Sequence, residues 1–402
     1  MVASGTNARI AYIGETTRGT TPGSPNFTIA RAISRKINLA KNTIESAEVS
    51  GRNRTDVRHG FHRIEGDIQV ELGMETYNDW LLWSLGTTAW FTPASIVGVD
   101  LDVTAINQFT RASGNWIDAQ YRPGDWVRTS GFPNAANNGD FRILTVTASV
   151  LTVTVDTLVV EAGDADSTLA YIGKKCVVSE IAQLLKTFSL EREILDLDAA
   201  GLDLYQIFRG VGINRLNVSA NPDELLKATF GLIGMTGTNN GAATLDTNSA
   251  YSAAPTNAPF AGVDTTMYIA QYAVNATSFD FTLDNQRTTK AILGQRTTLD
   301  LYEGVAKASG NLSVLMANVG RAQRFQDEVA EAAGFQIRAN ELGTSEFMTF
   351  NFYKAKFMTH EVDPPASGPV AQNIAWDGLQ QTFAGVSTTY RETMHIQRST
   401  ST

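Results

Sequence analysis

Apolar and polar residues alternate along much of the chain, and this period of two is typical of strands with one buried face. The alternation is clearest in residues 67–72 (DIQVEL), 216–220 (LNVSA) and 348–352 (MTFNF). Helical spacing of apolar residues is clear from Glu75 to Leu85 and from Arg321 to Ala333, and a glycine that favours a helix end follows each stretch. The pattern predicts a mainly β fold with a few short helices.

Each predicted helix follows a similar strand, and the two strands share a glycine step of the form Gly-x5-Gly. The first step runs from Gly60 to Gly66 and the second from Gly304 to Gly310. An offset of 244 residues, held without gaps from Ile33 to Leu72, gives eight identical pairs in 40 and keeps apolar positions in phase. This recurring order of strand, glycine step and helix predicts that the chain contains one kind of domain twice.

Residues 104–172 have a different residue pattern from the sequence on either side, which predicts an inserted module. Pro123-Gly124 marks a turn, residues 137–139 (NNG) favour a hairpin, and residues 141–155 predict two strands rich in β-branched residues. We expect a small β-barrel that projects outward as a decoration. The polar, glycine- and alanine-rich stretch 236–259 is typical of a linker. The predicted domains are residues 1–103 with 173–240 for the first, 104–172 for the inserted module and 241–402 for the second.

Composition and charge narrow the classes of function. The 402 residues carry 32 basic and 41 acidic side chains, for a net charge of −9. Tight binding of a polyanion needs lysine and arginine, so we do not expect this chain to grip DNA. The most apolar stretch, residues 79–91, falls short of the roughly 20 residues of a membrane span, and we expect no membrane. A single cysteine, Cys176, and an opening without signal-peptide features predict folding in a reducing cytoplasm.

Patterns for catalysis or metal binding are sparse. His59 and His62 lie near acidic residues, but a spacing of three puts their side chains on opposite faces of a strand. Cys176 has no motif of a nucleophile and is interpreted as a buried small residue. Glu191 and Glu193 share one strand face at a spacing that a glycosidase acid/base pair can have, so a β-rich glycan-binding or glycan-hydrolysing protein is the alternative function. The sequence predicts no catalytic site, cofactor or metal.

Several segments together resemble one family. They are residues 8–22 (ARIAYIGETTRGTTP), the strand 60–72 with the helix after it, residues 188–192 (FSLER) and residues 208–218 (FRGVGINRLNV). This series is similar to the N-terminal half of major tail tube proteins of long, non-contractile-tailed (siphovirus-type) bacteriophages, and residues 113–139 resemble a β module that recurs in such proteins. The resemblance implies a structural virion protein without enzymatic activity, assembled in the host cytoplasm, whose partners are its own copies and other phage tail proteins.

The resemblance also implies a fold and a channel. Each of two duplicated tube-type domains would be a β-sandwich or open barrel flanked by a helix, and sheets of neighbouring subunits would join around a lumen that conducts DNA during ejection. An acidic or neutral lining repels phosphate and lets DNA pass without specific binding. The residues expected to line the lumen are Asp67, Gln69, Glu71, Asn311 and Ser313, with Glu191 and Glu193 as further candidates.

Two weakly patterned segments, residues 40–59 and 284–303, precede the repeated glycine steps. By the same resemblance they would order against the adjacent ring and hold the stack together, and the alternative is a pair of surface hairpins. The basic residues expected to make these stacking contacts are Arg52, Arg54, Arg58, Arg287, Lys290 and Arg296. If the duplication supplies two of six wall units, three chains close a ring with pseudo-sixfold symmetry. A hexamer whose second half lies outside the wall is the alternative.

Overall fold

The computed structural model describes residues 5–47, 56–179, 185–196, 203–241, 243–247, 251–270, 272–317, 319–340 and 346–400. The fold is mainly β, as the alternation predicts. The part of the chain before the inserted module contains β1 (Ala8–Gly14), β2 (Thr28–Ala30), β3 (Ser34–Glu45), β4 (Val57–Glu71) and helix α1 (Asn78–Ser84). The module begins before the predicted residue 104 and contains β5 (Ile96–Val97), β6 (Leu101–Ala105), β7 (Gln108–Arg111), β8 (Trp126–Ser130), β9 (Gly139–Val146), β10 (Val150–Val153) and β11 (Thr168–Tyr171).

The rest of the chain is again made mostly of strands. The first half continues with β12 (Lys174–Ser179), β13 (Phe188–Ile194), β14 (Leu204–Ala220), β15 (Lys227–Gly234) and β16 (Thr236–Gly241). The second half contains β17 (Thr265–Ile269), β18 (Tyr272–Val274), β19 (Ala276–Asp284), β20 (Thr288–Thr289), β21 (Leu301–Tyr302), β22 (Lys307–Leu315), α2 (Gly320–Gln326), β23 (Glu331–Asn340), β24 (Phe347–Phe357), β25 (Glu361–Val362), β26 (Ala371–Gly378), β27 (Gln381–Ala384) and β28 (Thr389–Arg398).

The predicted second helix is only half right. Helix α2 ends at Gln326, and the residues from Glu331 onward form β23, which pairs with β24. The apolar residues counted toward a helical stripe therefore belong to two elements. The first predicted helix is confirmed over a shorter span, with Trp80 and Leu81 buried against the main core.

Eight antiparallel strands follow one another in the order β3–β4–β15–β14–β19–β22–β26–β25. The first four belong to the first half and the last four to the second. Alternation along each strand puts one face in the main core, where Ile68, Val218 and Leu312 are at most 2% exposed. One sheet therefore runs through both halves.

The hairpins β3–β4 and β19–β22 have the same register. Ile37 lies opposite Gly66, and Phe281, which is 244 residues after Ile37, lies opposite Gly310. A Cβ atom added to Gly66 would lie 2.0 Å from the carbonyl oxygen of Lys36, and one added to Gly310 would lie 2.2 Å from the equivalent oxygen. The repeated glycines thus meet the same need, a close approach of the neighbouring backbone.

A second pair of hairpins also coincides, although no sequence identity suggested it. Leu216 of β14 lies opposite Phe230 of β15, and β15 and β26 have matching ends, offset by 144 residues. At that offset Glu361 of β25 corresponds to Asn217 of β14. Their partners on the neighbouring strands, Asn373 and Thr229, correspond as well. Each hairpin shifts register by one residue just before this point. The segment between the two hairpins is therefore about 100 residues longer in the first half, and it includes the inserted module.

The inserted module is a seven-stranded sheet in the order β5–β11–β8–β9–β10–β7–β6. The sheet is not closed, so the predicted barrel is wrong in that respect. Trp116, Phe132 and Phe141 fill its own hydrophobic core. Trp126 instead leaves that core and packs at ring-centroid distances of 6.1–6.2 Å against aromatic residues of the second half.

The stretch predicted as a linker, residues 236–259, packs against the first half where the structure describes it. It starts with β16, which pairs with β14. Beyond β16, the amides of Thr247 and Ser252 donate to the carbonyls of Pro25 and Phe27. We call residues 243–247 and 251–259 the strap, because they cross over the first half.

Candidate channel face and chain edges

The outer face of the eight-stranded run is polar. Its side chains alternate with the buried ones and are half-buried or exposed. The acidic side chains on this face are Glu65, Asp67, Glu71, Asp280, Asp284, Glu361 and Asp377, and the basic ones are Lys36, Arg63, Arg215, Lys227 and Lys307. Among the described residues of these strands, acidic groups thus outnumber basic groups on the face.

Some of this charge is paired along the sheet. Arg215 Nη2 lies 3.1 Å from Asp67 Oδ1, and the two side chains meet above Gly231, which has no side chain to separate them. Lys307 Nζ lies 3.3 Å from Asp377 Oδ2 on the neighbouring strand. These pairs are solvent-exposed, so each contributes less than about 1 kcal/mol to stability. Their main effect is to neutralise neighbouring charges, so that the electrostatic potential varies less across the face.

Five of the predicted lumen residues share this face. Asp67, Gln69 and Glu71 lie on β4, and Asn311 and Ser313 occupy the positions on β22 that match the first two. Asn311 Nδ2 donates to a carboxylate oxygen of the neighbouring strand at 3.2 Å. The face is wet and carries mixed charge.

Glu191 and Glu193 do not share it. Glu191 is 1% exposed, and its carboxylate accepts hydrogen bonds from Thr244 Oγ1, the Leu245 amide and the hydroxyl of Tyr251, all in the strap. Burial raises the pKa of Tyr251, and the bond to Glu191 raises it further. The carboxylate therefore anchors the strap to β13.

Glu193 is 3% exposed and is paired with Arg9 of β1. The guanidinium of Arg9 also lies 4.6 Å from the ring centre of Tyr251. Both carboxylates are thus enclosed by the chain's own residues, with no open cleft between them for a sugar. This geometry gives no support to the glycan alternative and leaves neither group free to line a channel.

The segment 284–303 is docked on the first half. The arm that contains β20 and β21 places Leu301, 2% exposed, against Leu185 and Ile233. The amide of His62 donates to the carbonyl of Arg296 at 2.7 Å, and Arg18 Nη1 lies 2.9 Å from Asp300 Oδ2. We call residues 284–303 the second arm and residues 40–59 the first arm.

The predicted stacking residues are divided between interior and surface. Arg287 is 3% exposed and its guanidinium donates to the Ile213 carbonyl, so it anchors the second arm inside the chain. Lys290, Arg296 and Arg58 are exposed. Arg52 and Arg54 lie outside the described residues. Among the described members of this set, Lys290, Arg296 and Arg58 are available to contact another ring.

The two arms have matching hairpin pairs but different surroundings. Thr288 lies opposite Tyr302 in the second arm, and Ile44 lies opposite Arg58 in the first, again at an offset of 244. In the first arm Ile44 is 59% exposed, and Val57, which matches the buried Leu301, is 45% exposed. The first arm therefore exposes Ile44 and Val57, and the counterpart of Val57 in the second arm is buried.

A buried charged cluster joins the module to both halves, and sequence patterns did not indicate it. Asp125 of the module, fully buried, has Lys175 Nζ at 3.0 Å and His395 Nε2 at 2.9 Å from its carboxylate oxygens. Beside it, Arg122 makes two hydrogen bonds of 2.8 and 3.0 Å with Glu392. The partners are up to 270 residues apart in sequence, so no local pattern could pair them.

Electrostatics fixes the charge states in this cluster. Burial alone would raise the pKa of Asp125, but Lys175 and His395 outweigh it and the pKa lies below its usual range. Burial lowers the pKa of His395 despite the nearby carboxylate. Asp125 is therefore ionised at neutral pH and His395 is neutral. The cluster is a structural joint.

Other features of the described residues carry no site chemistry. Cys176 is buried in the main core, where burial raises the pKa of its thiol. Within the described ranges there is no group of three or more metal-ligating side chains. Across the same ranges, neither helix is long and apolar enough to cross a membrane.

Comparison with known proteins identifies the family. Residues 5–378 match a family model described as phage tail tube protein. No curated protein matches the chain. The match spans the eight-stranded sheet, the inserted module and both arms, and it ends before β27 and β28. This chain belongs to the phage tail tube protein family.

Proposed function

We propose that this chain is the structural subunit of a tail tube and forms rings that stack around a channel. One observation carries the proposal: both halves contribute four strands each to a single sheet with an apolar and a polar face. Such a sheet can wall a channel when its free edges join other copies. Family membership supports a structural role in the virion, with other tail proteins as partners.

We propose three chains to a ring. The family resemblance implies six wall units, and the coincident registers at offsets of 244 and 144 support two units in each chain. Three chains then close a ring with pseudo-sixfold symmetry. The ladder between β14 and β19 argues against a hexamer whose second half lies outside the wall, because it joins both halves in one sheet.

Image reconstruction of assembled tubes tests the ring. The expected result is threefold symmetry in the chains, with β4 and β22 in equivalent positions of one wall. True sixfold symmetry with β22 outside the wall would refute the trimer. Protein that stays monomeric at high concentration and is absent from the tails of virions would refute the tube itself.

The polar face is proposed to line the lumen, with Asp67, Gln69, Glu71, Asn311 and Ser313 in contact with its water. Its excess of acidic residues repels phosphate on balance, so DNA can slide through during ejection. Glu191 and Glu193 are left out because they are buried. The exposed Arg58, Lys290 and Arg296 remain candidates for contacts between stacked rings.

Charge reversal tests the lining. Changing Asp67 and Glu71 together to lysine should leave tubes intact but slow DNA ejection, most strongly at low salt, because lysine binds phosphate through counterion release. The matched control changes Asp156 and Asp166, two exposed residues of the inserted module, to lysine. Equal ejection rates for both variants at every salt concentration would place the lumen on another face.

A further inference from the structure

The ladder between β14 and β19 is a seam between two equivalent units within one chain. Val218 lies opposite Phe281 and Ser219 lies opposite Asp280. The amide of Asn285 donates to the carbonyl of Asn214 at 2.8 Å, which fixes the backbone groups that face the seam. The internal seam thus gives a register by which one unit can join the next.

The same two elements recur at the ends of the eight-stranded run. Strand β3 matches β19, and residues 357–363 around β25 match the part of β14 that makes the seam. In the described residues β3 pairs with β4, and β25 pairs with β26, each on one side only. An edge of this kind is a template for another chain.

We propose that the outer edge of β3 pairs with residues 358–363 of the next copy of this chain and repeats the internal seam residue by residue. In this register Ile37 lies opposite Val362 of the next copy, and Lys36 lies opposite Asp363. The inference rests on the proposed ring and specifies how the ring closes.

The side chains at the two edges are complementary. Lys36 and Asp363 are exposed and carry opposite charges on what becomes the polar face. Val362 is 36% exposed, whereas its internal counterpart Val218 is fully buried beneath the seam. Joining the edges pairs the two charges and covers the valine.

The backbone is complementary as well. Pro364 would face Arg35 across the new seam, and proline has no N–H to donate to the Arg35 carbonyl. Within the chain, that carbonyl already accepts a hydrogen bond from Arg192 Nη1 at 3.1 Å. The missing donor therefore leaves no unpaired group and ends the ladder at Val362.

The first arm supplies further support. In the second arm, Leu301 is buried against Leu185 of the neighbouring unit. The residue that matches Leu301 is Val57, which is 45% exposed in the single chain. If the next copy repeats the internal arrangement, the adjacent chain of the same ring covers Val57, and the first arm packs against that chain.

A cysteine pair tests the register. Ser219 and Asp280, the internal counterparts of Asp363 and Lys36, form a non-hydrogen-bonded pair of the antiparallel ladder. In such a pair the Cα atoms lie about 4.5 Å apart, so two cysteines can form a disulfide. We expect the variant with Lys36→Cys and Asp363→Cys to form covalent dimers and trimers on oxidation after assembly. The control variant combines Lys36→Cys with Glu361→Cys, which lie diagonally at about 7–8 Å and should cross-link at least tenfold less.

The outcomes separate the register from the ring. Tubes that form but cross-link equally in both variants, or in neither, overturn the register and leave the tube intact. Chains that never assemble, in the wild type as well, overturn both. Mixing the two single-cysteine chains should give covalent dimers, whereas either single-cysteine chain alone should give none. Dimers formed by one of these chains alone would contradict the register.

Charge exchange gives an independent readout if cysteine disturbs assembly. Lys36→Glu and Asp363→Lys should each reduce tube formation at least tenfold at low salt, and the double exchange should restore it. Lys227→Glu makes the same change of charge in mid-sheet, beside an exposed partner, and should assemble as the wild type does. Failure of the double exchange to recover assembly would overturn the pairing of Lys36 with Asp363.

Discussion

Removing one negative charge from the buried cluster should destabilise the chain more than any surface substitution. The change is Asp125→Asn, which keeps the size of the side chain and removes its charge. Asp125 is fully buried and lies 3.0 Å from the ammonium of Lys175 and 2.9 Å from His395. Lys175 is itself 1% exposed and burial lowers the pKa of its ammonium group, so without Asp125 it would either stay charged without a counterion or give up its proton.

The expected magnitude follows from this geometry. Breaking a buried ion pair by removing one partner typically costs about 3–5 kcal/mol, because the remaining charge has lost both water and its counterion. The Asp125 carboxylate also accepts from the Arg122 amide at 2.7 Å and from the Tyr171 hydroxyl at 3.3 Å. Asparagine retains one acceptor oxygen, so the loss of the charge dominates and we expect a loss of about 3 kcal/mol.

Chemical denaturation of the unassembled chain measures the effect. The matched control is Asp140→Asn, which breaks an exposed pair with Arg128 in the same module and should cost less than about 1 kcal/mol. Combining Asp125→Asn with Lys175→Met removes the uncompensated cation and should recover part of the loss. Equal effects of Asp125→Asn and Asp140→Asn, or no recovery in the double variant, would refute the reasoning.

Three further predictions follow from the same structure. Burial holds the pKa of His395 below its ordinary value. Stability should therefore fall as the pH drops below about 6.5, because the unfolded chain then takes up a proton that the native chain does not. His395→Gln should reduce this dependence of stability on pH in denaturation experiments at pH 5–8. Gly66→Ala should cost roughly 1–3 kcal/mol, whereas Gly5→Ala, whose added Cβ meets no atom within 4 Å, should be neutral by the same assay. Glu191→Ala removes the shared acceptor of three strap donors and should cost about 3 kcal/mol and make the strap sensitive to protease, while an unchanged digestion pattern would contradict its anchoring role.

Alternation predicted strands well wherever one face of the sheet is buried. Residues 67–71 lie in β4, 216–220 in β14 and 348–352 in β24. The second helix shows the limit of periodicity, because apolar residues after Gln326 at helical spacing are also compatible with a turn followed by a strand. Pairing of β23 with β24 decides between them, and that contact is not local.

The surroundings of Glu191 and Glu193, the pair behind the alternative function, could not be predicted for a similar reason. Alternation correctly puts Glu191 and Glu193 on one face of β13, but it says nothing about what covers that face. The strap, which lies about 50 residues later in the chain, covers it and supplies the donors. The strap's own sequence is polar and rich in small residues, which is why it was interpreted as a linker.

The matching registers of the two pairs of hairpins are visible in sequence for one pair and not for the other. In β4 and β22 the close approach of backbones requires a glycine, and Gly66 and Gly310 supply it. In β15 and β26 only the alternation and the length of the connecting loop have to match, and many side chains satisfy both conditions. Sequence identity therefore marks the positions under steric constraint and misses the second pair of hairpins.

The inserted module is held by charges from both halves, which changes what its removal is expected to do. Asp125 contacts Lys175 of β12 and His395 of β28, and these two strands pair with each other across the halves. Arg122 adds a bidentate pair with Glu392 on β28. Deleting the module would leave Lys175, His395 and Glu392 buried without partners and would destabilise the chain, although the module has a core of its own. A deletion that tests whether the module is part of the tube must therefore also replace Lys175, Glu392 and His395 with apolar residues. Only a loss of assembly in this repaired chain would assign the module to the wall.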